Sequence, residues 1–143
     1  ELDGIYEAEG KKLFTDPWKV RDEYWERISK PEATDALLQR WAVVEQPKRL
    51  QALRLLEMQR GRLYMLTSCA WFFDRVTGLE TLSALGHAAR AIELAASFGR
   101  ELSGGFRERL RLAPAGHRRY PTAAEAFDKL VGPRAVPLER AAG

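Results

Sequence analysis

The stretch from Lys48 to Phe72 contains no proline, and leucine recurs along it at Leu50, Leu53, Leu56, Leu63 and Leu66. Spacings of three and seven residues stack side chains on one another in a helix, so the pattern predicts one long helix. Projected at about 100° per residue, Met58, Met65, Cys69, Phe72 and Val76 fall on one side of it. Leu56, Leu63, Ala70 and Asp74 fall near the opposite side, with Leu53 and Trp71 close to that second stripe. A helix that is apolar on two sides belongs in the interior. The expectation is therefore a central, buried helix that carries the motif TSCAWFFD (67–74) at its end.

The flanking segments are helical by the same reasoning. LDGIYEAEGKKLF (2–14) places Leu2, Ile5, Tyr6, Leu13 and Phe14 at broadly helical spacing. Asp16 followed by Pro17 is an N-cap and a proline at the first helical position, opening a helix expected to run to about Ile28. Pro31 starts another helix with Ala36, Leu37, Trp41 and Val44 as its apolar set, and Pro47 ends or restarts it. Thr77-Gly78-Leu79-Glu80 reads as a capping box for a helix in which Leu82, Leu85, Ala89, Ile92 and Ala96 keep the period, with Gly99 as its stop. A shorter helix follows at 101–112, ended by Pro114 and Gly116. Thr122 and Glu125 make a second capping box ahead of Phe127 and Leu130. No β-branched alternation bounded by turns is present, so the fold class is all-α: a single compact bundle of six or seven helices over residues 1–131. Residues 132–143, with Pro133 and Pro137, read as an extended tail or linker.

A chain of 143 residues is one domain by length. It can bury enough surface to need neither disulfide nor metal. Its single cysteine, Cys69, excludes an internal disulfide and suits a reducing cytoplasm. On the predicted helix Cys69 shares a face with Met65, Phe72 and Val76, and is expected to be buried. No run of 18 apolar residues exists, which excludes a helical membrane span. The net charge of +3 is mild. The arginines of FRERLRLAPAGHRRY (106–120) are diluted by Glu101 and Glu108 and read as a solvated face, which argues against nucleic acid as a partner. The chain starts at Glu1 rather than methionine and is read as a piece of a longer protein.

One pair carries candidate chemistry. Trp71 and Asp74 are three apart and hence neighbours on a helical surface. A flat indole covers the apolar face of a pyranose, and a carboxylate accepts hydrogen bonds from its hydroxyls. The competing reading makes Asp74 a turn or salt-bridge residue beside a packed Trp71, because a buried unpaired carboxylate is expensive. Cys69 with His87 or His117 lacks a recognisable nucleophile setting. Two histidines and one cysteine at wide spacing give no metal-ligand pattern. SGG (103–105) is too short to cradle a phosphate, and Trp18 and Trp25 read as core or interface residues.

The stretch LLEMQRGRLYMLTSCAWFFDRVTGLETLSALGHAARAIELA (55–95) resembles the domain of unknown function 3536, the helical region that follows the catalytic barrel in proteins related to glycoside hydrolase family 57. LFTDPWKVRDEYW (13–25) resembles the start of that region and YPTAAEAFDKLV (120–131) its end, so the resemblance covers nearly the whole chain. Ala70 stands where a glycine is usual, and Gly61 where a larger residue is common.

The resemblance implies an accessory helical domain packed on a separate N-terminal barrel of the same parent chain, which would act on α-glucans with two carboxylates. In family-57 enzymes an aromatic-rich Ser-Asp-Trp helix borders the substrate cleft. Trp71 is matched to it by position, with Cys69-Ala70 replacing the Ser-Asp step. No catalytic residue of the family maps onto these residues, and no cofactor or metal is implied. Two functions stay open: a sugar-facing accessory domain in which Trp71 and Asp74 line a cleft, or a helical interaction module with no sugar role. A third, nucleic-acid binding through the arginine cluster of 106–120, stands well behind them.

Overall fold

A computed structural model of the chain describes residues 1–25, 30, 32–42, 45, 48–72 and 75–132. The fold is all-α, as expected. Among the described residues it holds seven helices of eight residues or more, one single-turn helix and one small hairpin. The chain divides into two compact units, Glu1–Arg60 and Gly61–Gly143. The tail expected at 132–143 falls outside the described residues beyond Gly132.

In the first unit, α1 (Leu2–Leu13) buries Ile5, Tyr6, Gly10 and Leu13. Asp16 caps α2 (Pro17–Tyr24) by accepting from the Lys19 N–H at 3.1 Å, with Pro17 in the first turn. This matches the sequence reading at its start. The helix is described to Tyr24, and the rest of the span expected to run to about Ile28 lies outside the described residues beyond Trp25. Trp25 is its C-cap residue. Helices α1 and α2 approach closely at Gly10, where a Cβ would stand 2.9 Å from the Pro17 Cβ. The Tyr6 hydroxyl donates to the Pro17 carbonyl, tying the same two helices. Helix α3 (Ala33–Trp41) buries Leu38. Its end is pinned where the Thr15 N–H donates to the Trp41 carbonyl at 3.0 Å, beside a single bridge between Phe14 and Ala42.

Helix α4 (Lys48–Tyr64) begins where the leucine pattern predicts, and Ala52, Leu55, Leu56 and Met58 are buried. Several of its polar side chains pair inside the first unit, although the buried Arg54 Nε and Gln59 Oε1 find no hydrogen-bond partner among the described residues. Tyr24 donates to Glu57, Arg60 reaches both Glu57 oxygens at 3.2 Å, and the fully buried Gln59 donates to Asp3 at 3.1 Å.

The expected continuous helix through residue 74 is not formed. Leu66 and Thr67 donate three residues back, to Leu63 and Tyr64, tightening and ending α4. A separate single turn, α5 (Cys69–Phe72), then starts. Thr67 and Ser68 stand at the break, residue types that favour turns and caps over helix interiors. The two-stripe projection therefore fails beyond Met65. Cys69, expected to be buried, is exposed.

In the second unit the last turn of α4 lies against α6 (Leu79–Ala96). A Cβ at Gly61 would stand 3.0 Å from the His87 carbonyl oxygen, and Tyr64 stacks on His87 with ring centroids 4.8 Å apart. Helix α6 is capped by Gly78, without a side-chain hydrogen bond, rather than by the Thr77 capping box. The helix thus starts one residue later than the motif requires, at Leu79. Its end matches expectation. Gly99 takes φ 73°, its N–H bonds to Ala96, and the Arg100 N–H bonds to Ala95, which satisfies the last carbonyls.

Helix α7 (Ser103–Arg111) buries no residue but meets α8 (Ala123–Leu130) through an edge-on Phe106–Phe127 contact at 5.6 Å and an Arg107–Asp128 ion pair at 2.9 Å. Thr122 caps α8 as expected, accepting from the Glu125 N–H at 3.3 Å. Between α7 and α8 lies a two-stranded antiparallel hairpin, β1 (Pro114–His117) and β2 (Tyr120–Thr122), where only a break had been expected. Gly116, at φ 66°, sits within the irregular register between Pro114 and His117, a conformation open to glycine. No helix among the described residues is long and apolar enough to cross a membrane.

Candidate functional site

The motif TSCAWFFD forms a turn and the one-turn helix α5 instead of the end of a long helix. Helix α5 rests on α6. The Thr81 hydroxyl donates to the Ala70 carbonyl at 3.4 Å, and the Gly78 N–H donates to the Arg75 carbonyl at 3.0 Å to close the connection. This arrangement leaves apolar surface uncovered: Leu66, Phe72 and Leu79 are 49%, 82% and 76% exposed.

Beside α5 lies a pocket of about 280 Å³ lined by Met65, Leu66, Ala70, Thr81, Leu85 and Phe106, with Ala84 and Ala88 at its base on α6. Small residues at 84 and 88 leave the space open. The lining carries no charged group, and the Thr81 hydroxyl is already engaged by α5. Such a pocket suits an apolar group; it offers little to sugar hydroxyls, which need hydrogen-bonding partners.

Trp71 is placed on α5. Asp74 lies outside the described residues, so the two proposed sugar contacts are brought together only by their shared segment.

A family model described as a domain of unknown function (DUF3536) matches residues 1–143. The chain belongs to the DUF3536 family. No curated protein and no solved structure matches it.

The other sequence candidates of this DUF3536 domain find simpler roles. Cys69 stands exposed on α5, while His87 stacks on Tyr64 and His117 stacks on Tyr120. Among the described residues no hydrogen bond joins Cys69 to either histidine, and no cluster of three or more His, Cys, Asp or Glu could hold a metal. Ser103-Gly104-Gly105 form the first turn of α7 rather than a loop. Glu101 accepts from the Ser103 N–H at 2.8 Å, and hydrogen bonds from the Ser103 side chain and backbone hold its carboxyl below the usual carboxylate range.

Trp18 is half-buried between Tyr6, at 5.2 Å, and the Arg21 guanidinium, at 4.7 Å, whereas Trp25 is 51% exposed. Sequence reasoning placed Trp41 in an apolar set and missed its polar partners. Its indole N–H donates to Glu23 at 2.7 Å while Lys19 and Arg40 lie over its ring, joining α2 to α3. Sequence separation hid that group, since Glu23 and Trp41 lie 18 residues apart.

Proposed function

We propose that this DUF3536 domain is an accessory helical domain of a glycoside hydrolase family 57-like carbohydrate-active protein of the cytoplasm. It packs on a separate catalytic barrel of the same parent chain and borders the substrate cleft with Trp71 and Asp74. The observation that carries this reading is the uncovered apolar surface of Leu66, Phe72 and Leu79 around α5. Large apolar side chains grouped in a stretch of 14 residues mark a surface made to be covered by something else. That stretch also supplies an indole and a carboxylate, the pair of groups that α-glucan recognition uses.

In this reading the barrel supplies both catalytic carboxylates, which in a retaining enzyme stand about 5 Å apart. The helical domain supplies a wall and a hold on the sugar, and by itself releases no reducing sugar from α-glucans.

One observation favours a second reading, a helical interaction module with no sugar role: the pocket beside α5 is apolar throughout apart from Thr81, whose hydroxyl is engaged. The parent reading frame separates the two. A barrel with paired carboxylates encoded upstream supports the accessory-domain reading, and a parent without one supports the interaction module.

A further inference from the structure

Residues 107–120 hold five arginines and one glutamate, a surplus of four that exceeds the +3 of the entire chain. The end of α7 and the hairpin thus form one locally basic segment of the protein. Arg107 is bound by Asp128 at 2.9 Å. Arg109, Arg111, Arg118 and Arg119 are exposed, and none of these four forms an ion pair among the described residues. Arg109 and Arg111 lie in the last turn of α7, where cations complement the helix dipole. Arg118 and Arg119 have no such reason to be where they are.

These two residues form the two-residue turn between His117 and Tyr120, which are paired across the hairpin. Such turns favour Asn-Gly or Asp-Gly, whose backbones accept positive φ, yet no non-glycine residue among those described has positive φ. Turn chemistry therefore does not account for two adjacent arginines, and their mutual repulsion opposes it.

The tip is also ordered by its own side chains. His117 Nδ1 accepts from the Arg119 N–H at 3.1 Å, its ring stacks on Tyr120 at 5.3 Å and 25°, and the Arg119 guanidinium lies 6.0 Å from the Tyr120 ring. Exposed guanidiniums beside a stacked aromatic pair combine the two components by which single strands are held without sequence preference: phosphate neutralisation and base stacking. A membrane surface fits less well, because Leu112, 86% exposed, is the one large exposed hydrophobe in this segment.

We propose that the β1–β2 hairpin and the end of α7 form a binding surface for single-stranded nucleic acid, with Arg118 and Arg119 on phosphates and the His117–Tyr120 stack under a base. The inference is independent of the accessory-domain reading. The mild net charge of the chain hides it, because acidic residues elsewhere cancel the local surplus.

The test is fluorescence anisotropy with a labelled oligothymidylate over a salt series. Neutralisation of four phosphates gives a log K against log salt slope of about −2.8 for a single strand. The Arg118→Glu/Arg119→Glu variant should weaken binding by about tenfold or more and flatten the slope by about 1.4. Tyr120→Leu should weaken binding by about fivefold or more without changing the slope. A control with the same net charge change, Lys11→Glu/Lys48→Glu, should alter neither. Circular dichroism establishes that each variant is folded, and Arg118→Gln/Arg119→Gln replaces the reversal if it is not. Absence of binding at low salt overturns the proposal, as does an equal loss in the lysine control. Tighter binding of heparin or anionic vesicles than of the oligonucleotide, lost in the same variants, also overturns it.

Discussion

Gly61 and His87 meet backbone to backbone: a Cβ at Gly61 would stand 3.0 Å from the His87 carbonyl oxygen and 3.3 Å from the Ala91 Cβ. Glycine inside a helix ordinarily costs about 0.5–1 kcal/mol relative to alanine. By propensity alone Gly61→Ala should stabilise the protein. The contacts reverse the sign, because the opposing atoms belong to the body of α6 rather than to the end of a flexible side chain. The expected result is a net loss of about 1–3 kcal/mol, read by chemical denaturation. Gly86 makes the comparison, since a Cβ there meets nothing within 4 Å and Gly86→Ala should stabilise.

Cys69 is exposed on α5. It should therefore react with a thiol reagent in the native protein at close to the rate seen after denaturation. Mass-spectrometric labelling kinetics check this. Protection by a large factor would mean that α4 continues through the motif after all.

The Tyr6 hydroxyl is buried, and burial chiefly pushes its pKa well above the ordinary 10.0. The unfolded chain then loses the phenolic proton at lower pH than the folded one. Stability from this residue is complete below about pH 10 and is lost as pH rises beyond it through the folded-state value. Tyr6→Phe should cost about 1 kcal/mol at pH 7 through the lost hydrogen bond to Pro17. Thermal unfolding across pH 8–11 should fall more steeply at its alkaline end in the wild type than in Tyr6→Phe.

Local chemistry made most helix ends legible, the Thr77 capping box being the exception. Asp16-Pro17, Thr122 and Gly99 all act as their residue types suggest. The failures have physical causes. Leucine spacing continued past Tyr64, but the backbone turns at 65–68, and a projection that assumes one helix then assigns Cys69 and Phe72 to the wrong surroundings. The hairpin carries no alternating β-branched run, so its strands depend on pairing across the Arg118-Arg119 turn and on packing against α8, neither of which is a local signal. Of the candidate site, the aromatic motif was visible in the sequence. The pocket beside it was not, because it is lined by Ala84 and Ala88, whose small size becomes informative once α5 lies over α6.

The central claim is that the motif at 67–74 serves a sugar-binding surface rather than packing. The most direct measurement is α-glucan oligosaccharide affinity, by calorimetry on the parent protein, together with thermal unfolding of Trp71→Ala. Loss of an aromatic stacking contact is worth about 1–3 kcal/mol by analogy with base stacking. The account predicts affinity weakened by about 5- to 150-fold with little change in unfolding temperature, and a similar weakening in Asp74→Asn. A loss of stability of about 3–5 kcal/mol, as for a core tryptophan, with affinity per folded molecule unchanged, would contradict it.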